Sequence, residues 1–305
     1  MTGKTANSRL MDHSNIAALV TAFFWACSGL LAVYPVQQLG SFTFNRIRLQ
    51  AIFAILCVLT LITGGWRTLG SEHFAALALS GFIGILIGDS LLYASLLRLG
   101  PRRNSILFSV HAPITALLSF LVLDERLSPV AVGGITLVVV GVMLAIAFGR
   151  RAEQKHQWES VSGPLTVGVS IALIAALCQS VSALIAKPVM VAGVDPIAAS
   201  VVRVSMAAMF FTLLGFLPQL RSPVRITPRL FLQSTASGIC GMVIGMTTLL
   251  FALAHGKTGL VATLSSTSPI MILPLLWLRT KERPALGAWI GAAIAVAGIT
   301  LIFNH

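Results

Sequence analysis

The chain has 305 residues, of which 56% are hydrophobic and only 10% are charged, and its net charge at pH 7 is +12. A soluble chain carries about 25% charged residues, so this composition argues against a soluble enzyme, a disordered chain and a collagen-like fibre. The 21 Lys and Arg residues stand singly or in small groups between apolar runs. That distribution is typical of basic loops at a membrane surface and not of a nucleic-acid-binding face.

Ten apolar segments are each long enough to cross about 30 Å of hydrocarbon at about 1.5 Å per residue. Their apolar runs do not alternate with polar residues, which indicates helices and excludes strands. We number them segments 1 to 10, with limits 16–36, 47–64, 74–97, 102–122, 129–148, 164–186, 197–217, 230–253, 259–278 and 285–303. The first run is too long for the apolar core of a signal peptide, so it predicts a retained span.

Several segments carry a recognisable helix start. Proline is favoured at the first helical position, and it opens five of the segments, as Pro101, Pro129, Pro164, Pro196 and Pro228. Ser128, Asp195 and Thr227 directly precede three of these prolines. Their side chains are predicted N-caps, because each can accept a hydrogen bond from a free amide of the first turn.

The two halves of the chain repeat. The pattern S-G-x-x-G-x-x-x-G at 80–88 recurs at 237–245, an offset of 157 residues. Further matches, at the same offset or one residue less, pair Pro113 with Pro269, Glu125 with Glu282, Gly134 with Gly291 and Gly141 with Gly298. Five segments are an odd number, so the second half enters the membrane from the opposite face. The prediction is an all-α integral membrane protein of ten transmembrane helices, arranged as two five-helix inverted repeats.

The predicted boundaries are a first repeat at 1–149, a connecting loop at 150–163 and a second repeat at 164–305. Glu125 and Glu282 stand just before segments 5 and 10. Because an anion is favoured at a helix N-terminus, both glutamates are predicted to cap the segment that follows them.

Asp89 and His111 are the strongest candidates for chemistry. A charged carboxylate inside a span costs about 2.5–3.5 kcal/mol on insertion scales, so Asp89 is expected to face the bundle interior or a wet cavity. Histidine titrates near neutral pH, so His111 is a candidate for proton exchange. Both are predicted as substrate-binding and proton-coupling residues. The alternative for each is a structural side chain hydrogen-bonded to a neighbouring helix.

Other polar or aromatic side chains inside apolar segments are further candidates for substrate binding. These are Trp25, Ser28, Tyr93, Asn104, Gln179, Arg203, Ser265 and Ser266. For Trp25 and the serines the alternative is close helix packing. Arg203, whose counterpart in the first half is Arg48, would either reach the membrane interface with its long side chain or bind an anionic substrate.

The chain carries no pattern of an enzyme or a cofactor protein. Its four cysteines all lie in apolar runs without a CxxC pair, which is not the pattern of a disulfide framework or a zinc site. His255-Gly256-Lys257-Thr258 resembles the end of a phosphate loop, but the first required glycine is replaced by Phe251. We therefore predict no enzymatic activity, no cofactor, no metal, no nucleic-acid partner and no direct use of ATP.

The order of several motifs resembles the EamA-type branch of the drug/metabolite transporter superfamily. The resemblance is carried by Gly88-Asp89, Tyr93, Arg98, Gly100, Pro113, Leu123-Asp124-Glu125-Arg126 and the Gly134/Gly141 helix, with a looser match in the second half. The chain departs from the family pattern at Asp124 and Lys281, where the family has small residues, and at Met246, which stands in the place of Asp89.

The resemblance implies a secondary transporter that exports a small metabolite, such as an amino acid or a related polar or amphipathic compound, by alternating access. It implies a cavity lined by segments 1, 3, 4, 6, 8 and 9, a location in the cell (inner) membrane and cytoplasmic termini. The alternatives are a multidrug exporter, a sugar or nucleotide-sugar exchanger, and a non-transporting membrane receptor. The partners expected are a small-molecule substrate and membrane lipid, in a monomer or homodimer.

The charges favour the opposite orientation. Connections on the side of the N-terminus carry six Lys and Arg, the other side carries fourteen, and Arg203 is the remaining one. The positive-inside rule then predicts that both termini lie outside the cytoplasm. The sequence leaves open the cargo, the direction of transport, the coupling ion, the orientation and the oligomeric state.

Overall fold

A computed structural model describes residues 2–148, 164–217, 224–280 and 285–303, and within these ranges the regular structure is helical, without β-strands. The α-helices are α1 (Thr2–Thr63), α2 (Ser71–Gly81), α3 (Ser90–Ser109), α4 (His111–Leu123), α5 (Pro129–Ala147), α6 (Leu165–Val191), α7 (Pro196–Leu214), α8 (Pro228–Gly238), α9 (Thr247–His255), α10 (Thr258–Ser265), α11 (Ser268–Thr280) and α12 (Leu286–Phe303). A short 3-10 helix, Gly65–Thr68, follows α1. Two π-helices, Phe82–Asp89 and Ile239–Met246, join α2 to α3 and α8 to α9.

Eight described stretches are long and apolar enough to cross a membrane. The first, Asp12–Thr63, has 52 residues, which is about 78 Å of helix and more than twice the hydrocarbon thickness. It is kinked at Gly40, whose φ of 74° and ψ of 163° suit a residue without a Cβ, so it supplies segments 1 and 2. Pro129–Ala145 is a shorter apolar helix at segment 5. Counted in this way, the described helices agree with the ten predicted segments.

Segments 3 and 4 meet inside α3, where the chain reverses. Ser95 Oγ donates a hydrogen bond to Asn104 Oδ1, nine residues later. Along a straight helix those residues would be about 13.5 Å apart. The hydrogen bond therefore requires a turn between them, where one candidate span ends at Leu99 and the next begins at Arg103.

The three predicted N-caps are confirmed. Ser128 Oγ accepts a hydrogen bond from the amide of Ala131 at 3.2 Å, and Thr227 Oγ1 accepts one from the amide of Leu230 at 3.3 Å. Asp195 Oδ1 accepts two, from the first-turn amides of α7, at 3.0 and 2.9 Å. These polar side chains fix the starts of α5, α7 and α8.

The predicted partner of Glu125 was wrong. Its Oε2 accepts a hydrogen bond from the amide of Thr258 at 2.6 Å and its Oε1 accepts one from Thr258 Oγ1 at 2.8 Å. The carboxylate therefore lies at the start of α10 in the other half of the chain, while Ser128 caps the helix that follows Glu125. Glu282 and the predicted loop at 150–163 lie outside the described residues.

Contacts between connections agree with an alternating path of ten segments. Asp195 N donates to Thr68 Oγ1 at 2.8 Å, which joins the connection after segment 2 to the one after segment 6. Lys257 Nζ donates to the carbonyl of Arg126 at 2.8 Å, which joins the connections after segments 4 and 8. Each pair is separated by four segments, so both members lie on one side. Two halves of five segments then run in opposite directions.

Segments 5 and 10 pack along a face of small residues in α5 and α12. A Cβ added to Gly291 would lie 2.6 Å from the Cα of Ala145, and a Cβ added to Gly141 would lie 2.8 Å from the Cβ of Ala295. Glycine is therefore needed for the two backbones to approach this closely. This pair of helices joins the two halves beside the interior that contains the buried polar residues.

Candidate functional site

Polar residues inside the bundle fall into two groups. One, which we call the arginine cluster, consists of Arg48, Asp89, Tyr93 and Arg203. The other, which we call the central cavity, is bordered by segments 4, 6, 8 and 9. Of the ten predicted site residues, three lie in each group. The other four take part in helix contacts described below.

Arg48 and Asp89 form a buried ion pair. Arg48 Nη2 donates to Asp89 Oδ2 at 2.9 Å, with 3% of the Arg48 side chain and 20% of the Asp89 side chain exposed. Arg48 Nη1 donates to the hydroxyl of Tyr93. The guanidinium carbon also lies 5.0 Å from the centre of the Tyr93 ring, within the range of a cation–π contact. Asp89 therefore faces the interior, where an arginine compensates its charge.

Arg203 also points inward, so it does not reach towards the membrane interface. Its side chain is 3% exposed, and its Nη2 donates to Ser182 Oγ at 2.9 Å. Its Nε and Nη1 are buried without a hydrogen-bond partner among the described residues. Asp89 attracts Arg203 electrostatically as well. The cluster thus holds two guanidinium groups and one carboxylate.

Glycines make room for these arginines. A Cβ added to Gly81 would lie 2.6 Å from the Cα of Arg203, and one added to Gly238 would lie 2.8 Å from the Cγ of Arg48. Gly81 and Gly238 are the matching glycines of the two repeats. The repeated glycine pattern therefore lets segments 3 and 8 approach the arginine-bearing segments 7 and 2 of the opposite half.

Two reciprocal serine bridges relate the halves in the same way. Ser28 Oγ donates to the carbonyl of Ser237 at 2.8 Å, and Ser237 Oγ donates to the carbonyl of Ser28 at 2.9 Å. Ser80 and Ser182 exchange the same two hydrogen bonds, both at 2.8 Å. Each bridge joins segment 1 or 6 to segment 8 or 3 of the other repeat. The contact between halves therefore has a local two-fold pattern.

Segments 3 and 8, which take part in these bridges, each contain a π-helix. Phe82–Asp89 and Ile239–Met246 occupy matching positions at an offset of 157. π-helices are rare and occur frequently at functional sites. Asp89 ends the first and Met246 ends the second, so the carboxylate stands at a backbone irregularity in one half only.

The central cavity lies between the two halves. It is lined by His111, Thr115, Gln179, Ala183, Leu249, Leu253, Val261, Ala262 and Ser265. It is narrow, with a volume of about 10 Å³ that suits about one water molecule. The ring of His111 lies 5.1 Å from the ring of Phe108, and within the described part of the chain its nitrogens form no hydrogen bond. The imidazole is therefore available to a ligand in the cavity.

Breaks in the helices border this cavity on two sides. α3 ends at Ser109 and α4 begins at His111, while α10 ends at Ser265 and α11 begins at Ser268. Ser265 Oγ and Ser266 Oγ donate to the carbonyls of Ala262 and Thr263. These hydroxyls thus bond to backbone carbonyls at the break in the helix, just before Pro269.

The remaining candidates make helix contacts. Trp25 Nε1 donates to the carbonyl of Gly241 at 3.1 Å, and Ser28 belongs to a serine bridge. Asn104 accepts from Ser95 at the turn in α3, and Ser266 bonds within its own helix. Among the described residues, no hydrogen bond or ion pair joins Asp89 to His111.

The sequence analysis named Arg48 only as the counterpart of Arg203. It did not include Thr115 among the candidate substrate-binding residues. The available signal for Arg48 was its position inside an apolar run, 155 residues before Arg203. Together the two groups supply positive charge, one carboxylate, an imidazole, an amide and hydroxyls between the two halves. Over the described residues, no cluster of three or more His, Cys, Asp or Glu side chains could hold a metal ion.

Comparisons with known proteins agree with this architecture. The model of the EamA-like transporter family matches residues 14–147 and again residues 166–304. A solved structure titled "Crystal structure of protein" is similar with a TM-score of 0.77 and 18% identity, over 94% of this chain and 95% of that chain. In all, 29 chains of solved structures match. At such identity the likeness shows the fold alone. No curated protein matches the chain.

Proposed function

Because the chain belongs to the EamA-like transporter family, we propose that this membrane transporter exports a small metabolite, an amino acid or a related polar or amphipathic compound, by alternating access. The two inverted halves would rock against each other, so that a site between them opens to one side at a time. We place this activity in the cell (inner) membrane.

The observation that carries the proposal is the central cavity. Residues of both halves line it, with His111 and Thr115 from the first and Gln179 and Ser265 from the second. A ligand held by these groups would contact both halves at once, as alternating access requires. The cavity has the volume of about one water molecule, so we interpret this conformation as closed. Segments 4 and 9, which are broken beside the cavity, are the elements expected to move.

A second candidate function is the exchange of anionic compounds such as nucleotide sugars. The inward direction and burial of Arg203 favour it, because a buried guanidinium binds carboxylate or phosphate oxygens well. A multidrug exporter would be expected to have a more aromatic cavity lining than the one described. A non-transporting receptor would use the same cavity without moving its ligand across the membrane.

The decisive experiment is transport by purified protein in proteoliposomes. Vesicles loaded with a mixture of amino acids and related metabolites are assayed by mass spectrometry for compounds that leave only when the protein is present. We expect a small set of polar compounds to leave. Binding without release would support the receptor, and release of large apolar cations would support the multidrug exporter.

Two histidine variants test whether the central cavity serves this transport. His111→Ala removes the imidazole from the cavity and is expected to reduce the rate at least about tenfold, the effect of losing one or two buried hydrogen bonds to cargo. His255→Ala is the matched control, because His255 is exposed at the end of α9 and bonds only within its own helix. Equal rates in both variants would contradict the role of the cavity.

A further inference from the structure

Arg48 and Arg203 hold matching places in the two halves, but only one of them has matching partners. Arg48 bonds to Asp89 and Tyr93. At an offset of 157, these two positions correspond to Met246 and Leu250 in the second half. Both are apolar and buried, so neither can accept a hydrogen bond from Arg203 as Asp89 and Tyr93 do from Arg48.

The arginine nitrogens that lack a hydrogen-bond partner are consistent with this difference. Arg203 Nε and Nη1 have no hydrogen-bond partner among the described residues, although the side chain is 3% exposed. On Arg48 only Nε is left in this state. An arginine always carries its charge, and a buried charge without a partner is strongly destabilising. Two guanidinium groups and one carboxylate leave the cluster with one uncompensated positive charge.

The depth of Arg203 limits what can compensate that charge. It is seven residues from the start of α7 and eleven from its end, Pro196–Leu214. Lipid headgroups lie at the membrane surface, so an anion at this depth would arrive by the path of the cargo. Segment 6 connects the two regions, because Ser182 bonds Arg203 while its neighbour Ala183 lines the central cavity.

We infer that Arg203 binds an anionic group of the cargo, a carboxylate or a phosphate, which supplies to the second half the negative charge that Asp89 supplies to the first. The inference rests on the proposed transport function and names its substrate class. Arg203 Nε and Nη1 point from different edges of the guanidinium, so the anionic group would accept a charge-assisted hydrogen bond from one of them. In the closed conformation described here the site is enclosed, and the movement that widens the cavity would open it.

The test measures binding of simple anions to the purified full-length protein in detergent. Acetate, succinate and inorganic phosphate are compared with acetamide and with chloride at equal ionic strength, and the melting temperature reports binding. We expect at least one of the three anions to raise the melting temperature, and acetamide and chloride to leave it unchanged. The strongest of the three tells whether carboxylate or phosphate is preferred. Equal effects of acetamide and acetate, or no effect of any anion, would overturn the inference.

Three variants identify the residue responsible. Arg203→Gln is expected to weaken anion binding at least about tenfold, because it removes charge-assisted hydrogen bonds. Arg229→Gln, at an exposed arginine, is the matched control and is expected to bind as the original protein does. Met246→Asp adds a carboxylate at the position that matches Asp89. It is expected to raise the melting temperature and to abolish the response to anions.

The variants remain informative if Arg203→Gln fails to fold. In that case Met246→Asp alone decides, because an internal carboxylate that leaves the anion response unchanged would contradict the site. Transport of neutral cargo that Arg203→Gln leaves intact would overturn this inference and keep the proposed function. Anion binding without any transport would support the site and count against the proposed function.

Discussion

Asp89 is expected to be the most sensitive position in the arginine cluster, because it is the single carboxylate beside two guanidinium groups. Replacing Asp89 with Asn leaves both arginines buried without a counter-ion, and breaking a buried pair in this way costs about 3–5 kcal/mol. Replacing Arg48 with Gln leaves Asp89 near Arg203, which attracts it electrostatically. We therefore expect Asp89→Asn to lower the melting temperature in detergent more than Arg48→Gln does.

The double variant is the internal control. Arg48→Gln combined with Asp89→Asn removes one charge of each sign, so it is expected to melt at a higher temperature than Asp89→Asn alone. Transport by proteoliposomes is expected to fall in all three variants. If the two single variants melt at the same temperature, Asp89 does not compensate the second arginine.

Asp89 and His111 remain the proposed proton-coupling residues. If either exchanges a proton in each transport cycle, the transport rate of the original protein is expected to change between pH 5 and pH 8, since the concentration of the exchanged proton changes over this range. His111→Gln keeps a polar side chain that does not titrate, and it is expected to flatten the profile where His111 is responsible. A rate that is constant from pH 5 to pH 8 in proteoliposomes would contradict proton coupling by either residue.

At the level of helices, Glu125 joins the two halves through the start of α10. Its carboxylate accepts hydrogen bonds from the amide and hydroxyl of Thr258, so it satisfies a first-turn donor and stabilises the positive end of the helix dipole. Glu125→Ala is expected to cost about 1–2 kcal/mol of stability, as the loss of a good N-cap does. Glu72→Ala, at an exposed glutamate, is the control and is expected to have little effect on thermal unfolding. Equal losses would assign Glu125 no capping role.

The packing of α5 against α12 gives a prediction about glycine. Gly291→Ala would place a Cβ 2.6 Å from the Cα of Ala145, whereas nothing lies within 4 Å of a Cβ added to Gly133 on α5. Overpacking of this kind costs about 1–3 kcal/mol. We expect Gly291→Ala to lower the melting temperature and Gly133→Ala to leave it unchanged or raise it slightly. The opposite ranking would show that the two helices separate easily.

The sequence predicted the positions of the helices far better than it predicted which side chains bond to each other. Apolar length, proline and a preceding Ser, Thr or Asp are local signals, and they located the segments and the caps at Ser128, Asp195 and Thr227. The partner of Glu125 is 133 residues away, and Arg48 is 41 residues from Asp89. Local signals do not contain such pairings, because they depend on how the segments pack. The internal repeat was the exception, since it paired Arg48 with Arg203, 155 residues later, before the fold was known.

For the molecule as a whole, the two-fold relation between the halves explains why a sequence of such low charge retains buried polar residues. Reciprocal bridges, such as those of Ser28 with Ser237 and Ser80 with Ser182, satisfy polar groups that would be costly in hydrocarbon. They also repeat on both sides of the interface, as expected if the halves rock against each other in the proposed mechanism. The charged groups break this symmetry, because the carboxylate of Asp89 has no equivalent in the second half.

The orientation of the ten segments in the membrane can be measured with cysteines in or next to the described connections. In a chain whose four native cysteines are replaced, Trp66→Cys and Ala192→Cys are expected to react from one side, since their connections are joined by Thr68 and Asp195. Arg103→Cys and Arg225→Cys follow an odd number of segments and are expected to react from the other side. An impermeant thiol reagent applied to intact cells and to inverted vesicles separates the two pairs.

Reaction of all four cysteines from one side would contradict the alternating path of five and five segments. With the path established, the side that holds position 103 decides the orientation. The arginine-rich connections carry most of the Lys and Arg residues, so the positive-inside rule expects positions 103 and 225 in the cytoplasm. The family resemblance implies cytoplasmic termini and therefore expects positions 66 and 192 there. The same labelling pattern thus shows whether the positive-inside rule or the family resemblance gives the correct orientation, because the two expectations differ at every labelled position.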